Sequence, residues 1–153
     1  MDSTRFDYVT YIRGDQNKVW EALTTDEISR KFWFDSRQES QWEKGSPWRM
    51  SAPDGRLVNS GEVLDIVPPQ HLALSWRNEL KEDLREEGYS RLTFDLDQQG
   101  QSTKLSLTHE IAVKNSALIE DVSRGWPLII ASLKSLIETG DSLAETREWP
   151  SGL

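Results

Sequence analysis

The strongest constraint on how this chain can fold is an apolar stripe at helical spacing near its C-terminus. Its members follow the i, i+3, i+4, i+7 rule, and they are Trp126, Ile129, Ile130, Leu133, Leu136 and Ile137. A helix with such a stripe needs an apolar face to pack against. Gly125 and Pro127 interrupt the pattern, and they predict a kink or a break because proline removes a backbone hydrogen bond. Gly140 is the predicted C-cap.

Two short helices are predicted near the N-terminus. Asp15 is a suitable N-cap for a helix over 16–23, whose apolar residues recur at helical spacing. Thr24 and Glu27 have the spacing of a capping box, which predicts a second helix over 25–32.

The rest of the chain predicts short strands separated by turns. Alternating or β-branched segments bounded by Gly, Pro, Asp and Asn indicate strands over 6–13, 38–42, 47–52, 58–67, 71–76, 90–97 and 103–113. The highly charged segment 77–88 predicts a solvated loop. Consecutive strands joined by short turns pair antiparallel, so we expect an α+β fold of six or seven strands. The C-terminal helix would cover the apolar face of that sheet.

Length and charge limit the domain organisation and the partners. The 153 residues predict one domain over 1–143, followed by a frayed C-terminal tail over 144–153. A net charge of −8 makes nucleic acid and anionic membrane surfaces unsuitable partners. The sequence has no cysteine, no membrane-length apolar run and no signal pattern in its first residues, so we expect a cytoplasmic protein.

Four segments resemble a known family. They are VWEALTTDEISRKFW at 19–33, GEVLDIVPPQHLALSW at 61–76, STKLSLTHE at 102–110 and GWPLIIASLKSLIETG at 125–140. In this order they resemble the activator-of-heat-shock-protein-90-ATPase-like (AHSA-type) family of the START and birch-pollen-allergen (SRPBCC) superfamily. The resemblance implies a helix-grip fold, in which a curved sheet surrounds the long C-terminal helix and a cavity lies between them. Relatives in the wider superfamily bind lipids or hormones, and others act on aromatic polyketides.

Two candidate features for a site emerge from the strand patterns. The aromatic set consists of Trp33, Trp48, Trp76, Phe94 and Trp126, and it can line a pocket or fill a core. His109 shares a strand face with leucines, so it should point inward. There it can serve as a hydrogen-bond donor or general base, or it can be a core histidine paired by a neighbour.

Three hypotheses for the function follow. The first is binding of a small, largely apolar ligand, aromatic or lipid-like, by Trp33, Trp48, Met50, Trp76, Phe94, His109, Trp126 and Ile130. The second is an enzyme of cyclase or aromatase type with His109 as acid–base. The third is a co-chaperone-like interaction module, for which the sequence offers no exposed apolar run. We favour binding over catalysis and expect no cofactor, because two distant histidines form no metal set and no nucleotide or nucleophile motif occurs.

Overall fold

The computed structural model describes residues 2–151, which form seven strands and four α-helices. In chain order these are β1 (Thr4–Arg13), α1 (Gln16–Thr24), α2 (Asp26–Ser29), β2 (Arg37–Ser40), β3 (Pro47–Ser51), β4 (Leu57–Val67), β5 (His71–Asn78), α3 (Glu82–Arg85), β6 (Ser90–Gln99), β7 (Ser102–Ile111) and α4 (Ala117–Thr139). A short 3₁₀ helix, Ala144–Thr146, follows α4.

The strands form one antiparallel sheet in the order β1-β7-β6-β5-β4-β3-β2. The strands from β2 to β7 are neighbours in sequence as well as in the sheet, as short turns require. The first strand pairs with β7, so α1 and α2 carry the chain from one edge of the sheet to the other. This arrangement confirms the predicted α+β helix-grip fold.

Helix α4 packs on the sheet through the apolar stripe that the sequence predicted. Trp126, Ile129, Ile130 and Leu133 are all buried, and the helix lies against β1 and β7. Gly140 ends the helix with a left-handed φ of 89°, which confirms the predicted C-cap. Within residues 2–151, no helix has both the length and the apolar character needed to cross a membrane.

Of the kink or break predicted at Gly125 and Pro127, the break is wrong, because α4 is continuous from Ala117 to Thr139. Proline removes one bond of the ladder. Burial of Trp126 and Ile130 on either side holds the helix against the sheet, and the remaining backbone bonds keep it intact.

The start of α2 differs from the predicted capping box. The Thr24 hydroxyl donates to the carbonyl of Trp20 in α1, 2.9 Å away, and so does not cap α2. Thr25 occupies the N-cap position without a side-chain hydrogen bond, and the helix ends at Ser29 instead of near residue 32. The competing bond within α1 therefore overrides the local signature.

Two segments predicted to be solvated are packed against the domain. Within the charged segment 77–88, α3 places Leu84 in the core with 3% of its surface exposed. The expected frayed tail is also wrong at the 3₁₀ helix Ala144–Thr146, since Thr146 is fully buried. Its hydroxyl lies 2.7 Å from that of Ser132 in α4, and its carbonyl accepts a hydrogen bond from the backbone N–H of Phe34. In each segment the burial of one side chain, Leu84 or Thr146, holds the backbone against the domain despite the polar composition.

Candidate functional site

The five aromatic residues singled out in the sequence form one buried cluster. Trp76 lies at its centre, with the rings of Trp48 and Trp33 stacked on it at centroid distances of 5.1 and 6.2 Å. Trp126 comes from α4 and meets Trp33 edge-on at 5.3 Å and Phe94 edge-on at 5.9 Å. All five residues are at most 5% exposed. Offset and edge-on contacts of this kind add to the stability that comes from burying the rings.

A small cavity lies beside this cluster, between α4 and strands β3, β4 and β5. Its volume is ≈ 150 Å³. Residues from both layers, from the connection between α2 and β2 and from the C-terminal segment line it, namely Trp33, Phe34, Ser36, Met50, Val58, Asn59, Trp76, Asp121, Val122, Gly125, Trp126, Ile129 and Trp149. Apart from Ser36, Asn59 and Asp121, the lining is apolar or aromatic.

The cavity is partly open to solvent, and its volume sets the size of the group that it can enclose. Pockets for drug-sized ligands have volumes of roughly 300–1,000 Å³. An engineered apolar cavity of about 150 Å³ in another protein binds benzene. The space in this domain therefore suits a molecule with a single ring.

The structure divides the eight predicted site residues into two groups. Trp33, Met50, Trp76 and Trp126 line the cavity. The others are buried behind the lining with at most 2% of their surface exposed, and they are Trp48, Phe94, His109 and Ile130. Strand alternation and the helical stripe identified inward-facing residues in both groups, but neither pattern could separate lining from core.

His109 belongs to a linear chain of hydrogen bonds that lies entirely inside the protein. The Trp126 indole N–H donates to its Nδ1 at 3.1 Å, which assigns the ring proton to Nε2. That proton points to the Ser90 hydroxyl oxygen 2.8 Å away, and the hydroxyl in turn donates to the carbonyl of Trp76. Both imidazole nitrogens are thus used inside the protein.

The environment of His109 keeps it neutral. The residue has no exposed surface, and burial lowers its pKa from 6.5 to about 3. It also lies outside the cavity lining. These observations favour the paired core histidine over the general base, and they remove the residue on which the cyclase or aromatase hypothesis depended.

Asn59 is a polar lining residue that sequence reasoning missed. It is 5% exposed, and the one hydrogen-bond partner of its Nδ2 within the described residues is the Met50 sulfur at 3.6 Å, a weak acceptor. The pairing of β3 with β4 passes from Met50 opposite Asn59 to Ser51 opposite Leu57, which leaves Val58 without a partner. This bulge turns two consecutive side chains inward. Period-2 alternation could not reveal it.

Metal binding has no support in the described part of the chain. Among residues 2–151, no three His, Asp or Glu side chains come together as a metal site requires. The second histidine, His71, lies 2.6 Å from Asp95 and 3.5 Å from Asp65, and its side chain is 27% exposed. This arrangement is a partly exposed cluster, and none of its three residues lines the cavity.

Comparisons with known proteins agree with the fold. The family described as Activator of Hsp90 ATPase homolog 1-like protein matches residues 14–138. The Aha1 dimer structure from Colwellia psychrerythraea has a TM-score of 0.73 at 19% identity, over 90% of this chain and 98% of that one. Protein MLL2253 from Mesorhizobium loti has a TM-score of 0.75 at 20% identity, over 87% and 96%.

A third similar structure is CalU16 from Micromonospora echinospora. Its TM-score is 0.72 at 20% identity, over 90% of this chain and 78% of that one. A search of the curated proteins finds no match. At these identities the structural likeness establishes the shared fold and nothing about a ligand.

Proposed function

The chain belongs to the family of Activator of Hsp90 ATPase homolog 1-like proteins, and we propose that it binds a small, largely apolar ligand between the sheet and α4. The observation that carries this proposal is the cavity of ≈ 150 Å³ beside the tryptophan cluster. Concave, mostly apolar sites with a few polar groups are typical of small-molecule binding. The size of the cavity favours an aromatic ring over a long lipid chain.

The lining supports binding more than acid–base catalysis. Asp121 is its one ionisable residue among those described, and its side chain is 36% exposed at the solvent side. His109 is held neutral behind the lining with both nitrogens engaged. A general acid or base must reach the reacting atoms directly or through one water. We therefore propose binding and assign no catalytic residue.

The co-chaperone hypothesis gains no specific support from the surface. Its distinguishing feature would be a large contiguous apolar patch. The large exposed apolar side chains among residues 2–151 are Val9, Tyr11, Leu57, Val67 and Tyr89. Val9 and Tyr11 share one strand, whereas the other three lie at strand ends or in a connection.

Calorimetric titration with toluene tests the proposal, since toluene is a single ring without polar groups. We expect a Kd of about 0.1–1 mM, the range that seven heavy atoms can supply in an apolar pocket. Gly125→Leu adds a side chain inside the lining and should weaken binding at least tenfold. Ala131→Leu, at an exposed position of the same helix, is the matched control and should bind as the wild type does. Absence of toluene binding, or unchanged binding in Gly125→Leu, would refute the proposal.

A further inference from the structure

Strand β1 is a long edge of the sheet. It pairs with β7 over the whole of Thr4–Arg13 without a bulge, and within residues 2–151 no strand lies on its other side. The opposite edge strand, β2, is only Arg37–Ser40. Proteins protect sheet edges with short strands, bulges, proline, charges or covering elements, because unpaired backbone groups can bind another strand. Strand β1 is neither short nor bulged, so its protection depends on charges and on what covers it.

Helix α4 covers one end of this edge. The Lys134 ammonium donates to the backbone carbonyl of Tyr11 at 2.5 Å. The backbone N–H of Arg13 donates to the Glu138 carboxylate at 2.8 Å. The backbone groups of residues 11 and 13 therefore point away from β7, and side chains of α4 already occupy them.

The rest of the edge is open. Successive residues of a strand direct their backbone groups to alternate sides, so the other odd-numbered residues of β1 face the same way as residues 11 and 13. Within residues 2–151, Arg5 and Asp7 make hydrogen bonds outside the strand pairing only through their side chains. The side chains of Arg5, Asp7 and Val9 are all more than half exposed. A row of backbone donors and acceptors is thus available to a second strand.

The charges on the open edge fit a second copy of β1 in one register. A two-fold antiparallel pair can place Arg5 of each copy opposite Asp7 of the other, with Phe6 opposite Phe6 at the axis. Sliding one strand by two residues in either direction instead places Asp7 opposite Asp7 or Arg5 opposite Arg5. Like charges directly opposite one another destabilise a sheet. A larger shift toward the covered end requires the carbonyl of Tyr11, which Lys134 already occupies.

Arg5 can form this contact without losing its present one. Its Nε donates to the two carboxylate oxygens of Asp7 in its own strand, at 3.0 and 2.9 Å. Within the described residues no hydrogen bond occupies its two terminal nitrogens, and a guanidinium has donors enough for two carboxylates. In this register the paired segment extends from Ser3 to Val9, so it ends before the part of the edge that α4 covers.

We infer that the chain forms a two-fold dimer in which β1 pairs antiparallel with β1 of a second copy, with Arg5 of each copy opposite Asp7 of the other. The two sheets join into one continuous sheet. The cavity lies between α4 and strands β3, β4 and β5, so ligand binding and dimerisation use different parts of the sheet and this inference does not depend on the proposed function. One short strand pair buries little surface, and interfaces at the low end of the size range are weak.

Sedimentation equilibrium from micromolar to millimolar protein tests the dimer. Arg5→Asp places like charges opposite one another and should weaken dimerisation about tenfold or more. The double variant Arg5→Asp/Asp7→Arg restores opposite charges in the same register and should recover the wild-type affinity. Arg124→Asp, at an exposed position of α4, is the matched control, because it changes the net charge as Arg5→Asp does. It should dimerise as the wild type does.

Amide hydrogen exchange on the unmodified protein locates the interface. The amides of Arg5, Asp7 and Val9 should exchange more slowly as the protein concentration rises. Those of Phe6 and Tyr8 face β7 and should not change. A protein that stays monomeric over the whole range would overturn the inference. So would a dimer that Arg5→Asp leaves intact, one that the double variant does not restore, or exchange at residues 5, 7 and 9 that is independent of concentration.

Discussion

The indole N–H of Trp126 donates to Nδ1 of His109 across 3.1 Å, and this bond ties α4 to β7. The chain of bonds continues through Ser90 in β6 to the carbonyl of Trp76 in β5. One network thus connects the helix to three adjacent strands. Because the side chains of Trp126, His109 and Ser90 are buried and paired, the helix has one favoured register on the sheet.

The buried neutral histidine predicts a pH dependence of stability. The unfolded chain binds a proton on His109 below about pH 6.5, whereas the folded pKa is about 3. Between these values the unfolded state holds more protons, so the free energy of unfolding falls as the pH falls. The expected slope is about 1.4 kcal/mol per pH unit for one full proton.

Urea unfolding between pH 6.5 and 5 measures this slope before most carboxylates titrate. The His109→Gln variant should lose it, and His71→Gln should retain it because His71 lies on the surface. A wild-type stability that stays constant over this range would contradict the assignment of a neutral, buried His109.

Gly61 and Gly125 predict opposite results for the same substitution. A Cβ at Gly61 would lie 1.8 Å from the backbone oxygen of Ser75, so Gly61→Ala must force β4 and β5 apart. We expect the free energy of unfolding to fall by about 3 kcal/mol or more.

At Gly125 the nearest atom is 4.0 Å away in Ile129, so Gly125→Ala fits without a clash. It should stabilise the domain by about 0.5–1 kcal/mol, since alanine is the better helix former. Thermal unfolding of both variants tests the pair, and a shift of the same sign in both would contradict this account.

Because the C-terminal segment is packed against α4, the hydroxyl of Thr146 should contribute to the stability of the domain. Thr146 is fully buried, and its hydroxyl donates to the Leu143 carbonyl at 3.0 Å and lies 2.7 Å from the Ser132 hydroxyl. Thr146→Val keeps the shape and removes both bonds, so we expect a loss of about 1–3 kcal/mol.

Chemical denaturation provides the measurement, with Thr10→Val in β1 as the control. The Thr10 hydroxyl makes no hydrogen bond within the described residues, so that variant should change stability by less than about 0.5 kcal/mol. If Thr146→Val and the wild type were equally stable, the hydrogen bonds of Thr146 would not hold the C-terminal segment, and the loose tail predicted from the sequence would be the better description.

Local patterns predicted the regular elements well and the irregular ones poorly. The stripe through Trp126 and Ile130 located α4, since burial of one helix face requires that spacing. The capping box at Thr24 failed because its hydroxyl found a nearer partner in α1. The inward turn of Asn59 was missed because it comes from a bulge between two strands, and a bulge has no signature in one strand alone.

The sequence by itself determined the α+β class, the sheet and helix order and the inward direction of the aromatic residues. These follow from the two periods of strands and helices, which are properties of neighbouring residues. The tertiary structure decided which inward residues line the cavity, that both nitrogens of His109 are paired and that the indole N–H of Trp76 has no partner within residues 2–151. These depend on strand register and on where α4 lies across the sheet, and both are set by packing between residues far apart in the chain.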